Sequence, residues 1–71
     1  MITLTRLHGQ RFAVNPDLIE RIQETPDTTV MMVDGATYVV LEPMEKVIEL
    51  AIDLRARVLA AAASWTEKKE I

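Results

Sequence analysis

The pattern of apolar residues changes once along this chain, near Glu42-Pro43, and that change limits the possible folds. Before it, short β-branched runs are separated by glycine and proline, as in strands joined by turns. After it, apolar residues recur at helical spacing. The sequence predicts a single α+β domain. An antiparallel β-meander of about five short strands occupies residues 1–42, a helix follows over 43–66, and a charged tail covers 67–71. An open sheet and a curled, SH3-like sheet both fit.

The clearest hairpin joins residues 29–33 to residues 37–41 through Asp34-Gly35. This dipeptide favours tight hairpin turns because glycine accepts a positive φ. Both strands are apolar on both faces, and such strands are normally covered on both faces. The rest of the sheet or the helix can supply one cover, and the second cover is unassigned.

A second hairpin is predicted between residues 2–7 and 11–14, with its turn at His8-Gly9. The segment from Asn15 to Glu24 has two interpretations. Asn15 before Pro16 can cap a helix, and Leu18, Ile19 and Ile22 would share a helical face. We favour one helical turn followed by a strand over residues 19–24, since prolines 16 and 26 leave little room for a stable helix.

The predicted helix is longer than the sheet is wide. Twenty-four residues extend about 36 Å at 1.5 Å per residue, whereas five strands spaced about 4.8 Å apart cover about 20 Å. The helix should therefore overhang the sheet.

Two apolar stripes run along this helix. The first has the alternating spacing of four and three residues that is typical of helix pairing, and it comprises Val47, Ala51, Leu54, Val58, Ala61 and Trp65. The second contains Met44, Ile48, Ile52 and Leu59, with Arg55 interrupting it. We predict that one stripe packs on the sheet and that the helix mediates self-association, with the first stripe as the candidate contact. One broad stripe wrapped over a curved sheet is the alternative.

Composition argues against catalysis and nucleic-acid binding. The net charge is −3, and residues 1–42 carry three basic and six acidic side chains, so the clustered positive surface that binds phosphates is missing. The chain has no cysteine and one histidine, His8, in a predicted turn. We therefore expect no catalytic residues, no metal and no cofactor.

The chain also has no sequence suited to membrane crossing. No segment approaches the roughly 20 apolar residues that a spanning helix needs, and the N-terminus does not resemble a signal peptide. We expect a cytoplasmic protein with no direct membrane insertion. Small domains without disulfides or metals often gain stability by self-association, so a homo-oligomer is expected.

Read from end to end, residues 2–50 resemble the FlbD-type, SwrD-like family of small flagellar and swarming motility proteins, which is distinct from the transcriptional regulator of the same name. The residues that carry the resemblance are Ile2-Thr3-Leu4-Thr5-Arg6-Leu7-His8-Gly9, Phe12, Val14-Asn15-Pro16, Ile19-Glu20-Arg21-Ile22, Pro26-Asp27-Thr28-Thr29-Val30, Asp34-Gly35, Tyr38-Val39-Val40-Leu41-Glu42 and Glu45-Lys46-Val47. The chain departs from the family pattern at His8, where asparagine is expected, and at Pro43, where the family tends to have serine.

The resemblance implies a non-enzymatic bacterial protein that supports flagellar motility, with a motor or stator protein as partner and a location in the cytoplasm at the flagellar base. The alternative is a small β-barrel regulator that binds RNA or DNA of motility genes. Chain length and strand pattern permit that alternative, whereas acidity and few aromatic residues oppose it.

Overall fold

The computed structural model describes the backbone of residues 1–69 and the side chains of residues 1–63. It confirms the α+β class. The elements in chain order are β1 (Ile2–Thr5), β2 (Arg11–Val14), a 3₁₀ turn (Pro16–Leu18), β3 (Ile19–Glu24), β4 (Thr28–Met32), β5 (Thr37–Val40) and α1 (Met44–Lys69).

The five strands form two antiparallel sheets, which are not closed into a barrel. One sheet pairs β1 with β2, and the other has the order β3-β4-β5. A single bridge between Arg6 and Val40 connects them, and the Leu41 N–H donates to the Thr5 carbonyl at 2.8 Å. Of the two predicted possibilities, the structure therefore has the open arrangement.

Both predicted hairpins are present, and glycine provides the positive φ in each turn. Gly9 has a φ of 98° and Gly35 a φ of 94°. In the second turn the Asp34 carboxylate accepts a hydrogen bond from the Ala36 N–H at 3.0 Å. Aspartate side chains stabilise turns in this way.

The segment after β2 has the favoured conformation, one helical turn and then a strand. The Asn15 side chain accepts a hydrogen bond from the Asp17 N–H at 3.0 Å, as a capping residue does. A β-bulge lies between Ile19 and Arg21. Because a bulge adds one residue to its strand, Ile19 and Ile22 both pack against the core although they are three positions apart.

The core lies between the two sheets and the start of α1. Its buried apolar residues are Ile2, Leu4, Val14, Val30, Met32, Val40 and Val47. The prediction that β4 and β5 are covered on both faces is wrong. Within β5, Thr37 and Val39 are exposed, with Val39 at 37%, so one face of this strand is open. Val33 and Leu41 lie just beyond the ends of β4 and β5 and are also exposed, so the apolar runs are longer than the strands.

Helix α1 begins one residue after its predicted start and continues three residues beyond its predicted end at Thr66. Residues 67–69 are therefore helical and not part of a tail, in keeping with the favourable helix propensities of glutamate and lysine. Every side chain from Arg55 to Ala63 is exposed, and the molecule measures 52 × 23 × 19 Å. The helix overhangs the sheets, as its length predicts.

A candidate partner-binding surface

The first half of α1 is fixed because its apolar side chains enter the core. Val47 is fully buried, and Leu50 and Leu54 are partly buried against the same cluster. This part of the helix contacts β1 and β3. The packed half thus sets the direction in which the remaining turns extend.

Two carboxylates fasten the start of the helix to the strands. Glu24, at the end of β3, accepts a hydrogen bond from the Met44 N–H at 2.8 Å. Glu42 accepts two more from Thr5, from its N–H and from its hydroxyl, each at 2.8 Å. Pro43 has no side-chain acceptor for capping, so Glu24 supplies one from a distant strand.

The Glu42 carboxyl is electrostatically stabilised in its ionised form. Partial burial by itself raises its pKa, but the hydrogen bonds from Thr5 and from its own N–H, together with the positive charge of Arg11, outweigh burial. The net result is a pKa below the ordinary value of 4.5. The hydrogen bonds between Thr5 and Glu42 are therefore strongest at pH values at which Glu42 is charged.

A shallow groove lies where α1 passes the 3₁₀ turn. Its volume is about 330 Å³, and it is lined by Pro16, Asp17, Ala51, Ile52, Leu54, Arg55, Val58 and Leu59. At its edge Arg55 Nη2 lies 3.4 Å from Asp17 Oδ1, in an ion pair whose side chains are both well exposed. The groove is thus mainly apolar with a charged rim.

The groove continues onto a row of exposed apolar side chains, which we call the apolar helix surface and define as Ile48, Ile52, Val58 and Leu59. Their exposed fractions are 44%, 62%, 57% and 61%. Ile48, Ile52 and Leu59 are spaced four and seven residues apart, so they share one side of the helix. Val58 lies about 100° around the helix from Leu59 at 3.6 residues per turn, and it adjoins Ile52 and Leu59 in the lining of the groove. Contiguous apolar patches of this kind mark interaction sites more often than isolated exposed residues do.

The first three residues of the predicted self-association stripe contact this chain itself. Val47 belongs to the core, so it is not available to a partner. Ala51 and Leu54 are partly buried and line the groove. The reason is positional, since these residues lie over the sheets before the overhang begins.

The later residues of that stripe lie on the overhang. Val58 and Ala61 are exposed, and Val58 adjoins Ile52 and Leu59 of the second stripe in the groove lining. The Trp65 side chain lies outside the described residues. The structure thus divides the first stripe into a packed part and an exposed part, and it brings the exposed part together with the second stripe.

Sequence reasoning did not single out Arg6 as a site residue and missed its surroundings. The guanidinium carbon lies 5.1 Å from the centroid of the Phe12 ring and 5.4 Å from that of Tyr38. The strand pattern contained part of the signal, because the predicted first hairpin brings Arg6 and Phe12 into neighbouring strands, whereas Tyr38 belongs to the second hairpin. Pairing across the two sheets, at Arg6 and Val40, could not be read from local pattern.

Among the described residues, no group of three or more histidine, aspartate or glutamate side chains could hold a metal ion. No helix in the described part of the chain has the length and apolar character needed to cross a membrane.

The fold and this surface define a small α+β protein whose C-terminal helix carries an apolar strip that the described residues do not cover. The family model for FlbD, flagellar and swarming motility proteins, matches residues 1–59. The chain therefore belongs to the FlbD family, and the match extends nine residues beyond the resemblance seen in the sequence. It ends at Leu59, so all four residues of the apolar helix surface lie within it. Searches of curated proteins and of solved structures found no match.

Proposed function

We propose that this chain is a non-enzymatic accessory protein of bacterial flagellar motility that acts in the cytoplasm at the motor or its stators. It works through protein contacts, and it self-associates through α1. Membership of the FlbD family supports the process. The observation that carries the mode of action is the apolar helix surface, which no other part of the chain covers in the described structure.

The length of the exposed helix suits pairing with another helix. From Ile48 to Lys69, α1 extends about 32 Å at 1.5 Å per residue. Paired helices lie with their axes about 8–10 Å apart, so a second copy of α1 would cover Ile52, Val58 and Leu59 along this length. Removing these side chains from water is the main driving force that we expect for assembly.

Self-association is tested by sedimentation equilibrium at tens of micromolar protein. The variant Val58→Asp/Leu59→Asp places two charges on the apolar helix surface and should be monomeric where the unmodified chain is a dimer or larger. The matched control, Arg57→Glu, makes the same change of two units in net charge at an exposed position on the side of the helix away from Ile48, Ile52 and Leu59 and should still assemble. A monomeric unmodified chain at this concentration would refute self-association.

The place in motility is tested with a clean deletion strain of the host bacterium. We expect normal numbers of flagella and a swimming speed that falls more steeply than in the parent strain as the medium becomes more viscous, which would place the defect in force generation. Complementation with the Val58→Asp/Leu59→Asp gene should fail, and the Arg57→Glu gene should restore speed. Loss of the filaments would contradict the motor proposal and would favour the nucleic-acid-binding alternative.

A further inference from the structure

A second candidate site, separate from the helix, surrounds Arg6. The backbone of Arg6 is fixed at the first hairpin turn, since the Arg6 N–H donates to the Gln10 carbonyl and the Arg6 carbonyl accepts from the Gly9 N–H, both at 2.8 Å. Its guanidinium lies over the rings of Phe12 and Tyr38, whose centroids are 5.1 Å apart. Stacking on two rings restrains the orientation of the guanidinium plane.

The positive charge of Arg6 has no counterpart in the described part of the chain. Its Nε is buried and makes no hydrogen bond, and the ion pairs found there join Lys46 to Glu49 and Arg55 to Asp17. The two terminal guanidinium nitrogens also have no hydrogen-bond partner among the described residues, and unlike Nε they are not buried. Their N–H groups are therefore available to a ligand that supplies acceptor oxygens.

An open cleft of about 230 Å³ lies beside this arginine. It is lined by Arg6, Leu7, His8, Thr37, Tyr38 and Val39. His8 and Thr37 can add hydrogen-bond donors next to the guanidinium. Thr37 and Val39 belong to β5, which pairs with β4 along one edge. Among the described residues, the other edge of β5 has one bridge, between Arg6 and Val40. The cleft therefore combines one fixed positive charge with an unpaired stretch of strand edge.

We propose that this cleft binds a carboxylate on an extended segment of a partner protein, with the carboxylate on Arg6 and the segment lying along β5. A planar guanidinium held by two rings matches the planar geometry of a carboxylate, and an unpaired strand edge can accept an added strand. A polyanion would need several fixed positive charges, whereas the cleft lining contains one arginine. Since Nε is buried, the carboxylate would meet the two terminal guanidinium nitrogens.

The test is a titration of the full chain with two blocked peptides, acetyl-Val-Glu-Val-amide and acetyl-Val-Gln-Val-amide, followed by NMR at the Arg6 Nε–H and at the amides of β5. We expect saturable shifts at both places with the glutamate peptide. The glutamine peptide should bind roughly tenfold more weakly, since it cannot form charge-assisted hydrogen bonds. Equal binding of both peptides, or no shift at Arg6, would overturn the proposal.

Three further experiments test whether Arg6 binds the peptide and whether the ligand is a carboxylate of a separate partner. Arg6→Lys keeps the charge but loses the planar fork and should weaken binding of the glutamate peptide about tenfold, whereas Arg11→Lys, on the neighbouring strand, should leave it unchanged. Tighter binding of inorganic phosphate than of the peptide would overturn the choice of carboxylate.

A dilution series of the protein alone tests whether a second copy occupies the cleft. Shifts at Arg6 on dilution would show that it does, and they would overturn the proposal that the partner is a separate protein. The peptide titration needs no variant, so it remains decisive if Arg6→Lys does not fold.

Discussion

The two halves of α1 belong to one continuous helix but are stabilised in different ways. From Met44 to Leu54, the helix is fastened by Glu24 and packed through Val47. From Arg55 onward, every described side chain is exposed. Tertiary packing normally supplies most of the stability of a helix, so the second half requires another source.

Composition supplies that source. Residues 60–63 are four consecutive alanines, and alanine has the highest helix propensity. The packed half instead carries branched residues such as Val47 and Ile48, which suit burial better than an isolated helix. A helix can thus extend beyond the sheets that support it where its sequence favours helix without packing.

The largest contrast between the halves should come from removing the same atoms in each. Val47→Ala removes two buried methyl groups and should lower the free energy of unfolding by about 2 kcal/mol. Val58→Ala removes them from an exposed position and should change the stability of the monomer by less than about 0.5 kcal/mol. Urea denaturation of both variants at a protein concentration that keeps the chain monomeric measures the contrast. Equal losses would show that the overhang packs on the monomer.

The fastening of the packed half should depend on pH. Glu42→Gln removes the charged acceptor of the two Thr5 hydrogen bonds and should cost about 1.5 kcal/mol at pH 7. Because folding lowers the pKa of Glu42, its contribution is complete above the ordinary value of 4.5 and is lost as the pH falls through the lower pKa of the folded state.

Urea unfolding at pH 7 and at pH 3 therefore should show a smaller difference between Glu42→Gln and the unmodified chain at the lower pH. Glu49→Gln, at an exposed position of the same helix, is the control and should show almost no difference at either pH. A Glu42→Gln deficit that stays constant between these pH values would contradict the assignment.

Glycine substitutions should distinguish local from global unfolding. Ala51→Gly and Ala60→Gly each cost about 1 kcal/mol of helix stability. In the packed half this cost should appear in the global free energy of unfolding. In the overhang it should appear only as lower helical circular dichroism and faster amide exchange in residues 55–69. A global loss in Ala60→Gly equal to that in Ala51→Gly would mean that the halves unfold as one unit.

The smallest effect is expected at the border between the halves. Asp17→Asn breaks the ion pair with Arg55, whose side chains are both well exposed, and exposed pairs contribute little. The free energy of unfolding should change by less than about 0.5 kcal/mol, with a smaller change in high salt. A loss above 1 kcal/mol in denaturation experiments would show that this contact supports the overhang.

The local features of this fold could be predicted from the sequence. Gly9 and Gly35 indicated the two turns, Asn15-Pro16 indicated the helical turn, and the β-branched runs indicated the strands, because each of these depends on neighbouring residues alone. The overhang followed from the ratio of helix length to sheet width. The two apolar stripes indicated that the helix has more apolar surface than the sheet can cover.

Contacts between distant residues could not be predicted. The split into two sheets depends on the Arg6–Val40 bridge, the bulge at Ile19 depends on which side chains reach the core, and the capping of Met44 depends on Glu24, twenty residues earlier. For the same reason the whole first helix stripe was predicted as a contact surface, although Val47 lies in the core. Periodicity tells which residues share a face, but only the position of the sheets tells where that face stops being covered.

The overhang of α1 also has a mechanical consequence. Residues 55–69 extend about 22 Å beyond the packed half at 1.5 Å per residue, and a tilt of about 10° at their base would move the far end by about 4 Å. The attachment of this arm is small, consisting of a few side chains around Val47, Glu24 and Glu42. A force applied near Lys69 would therefore act on that attachment through a lever, and the strands would experience it as a torque.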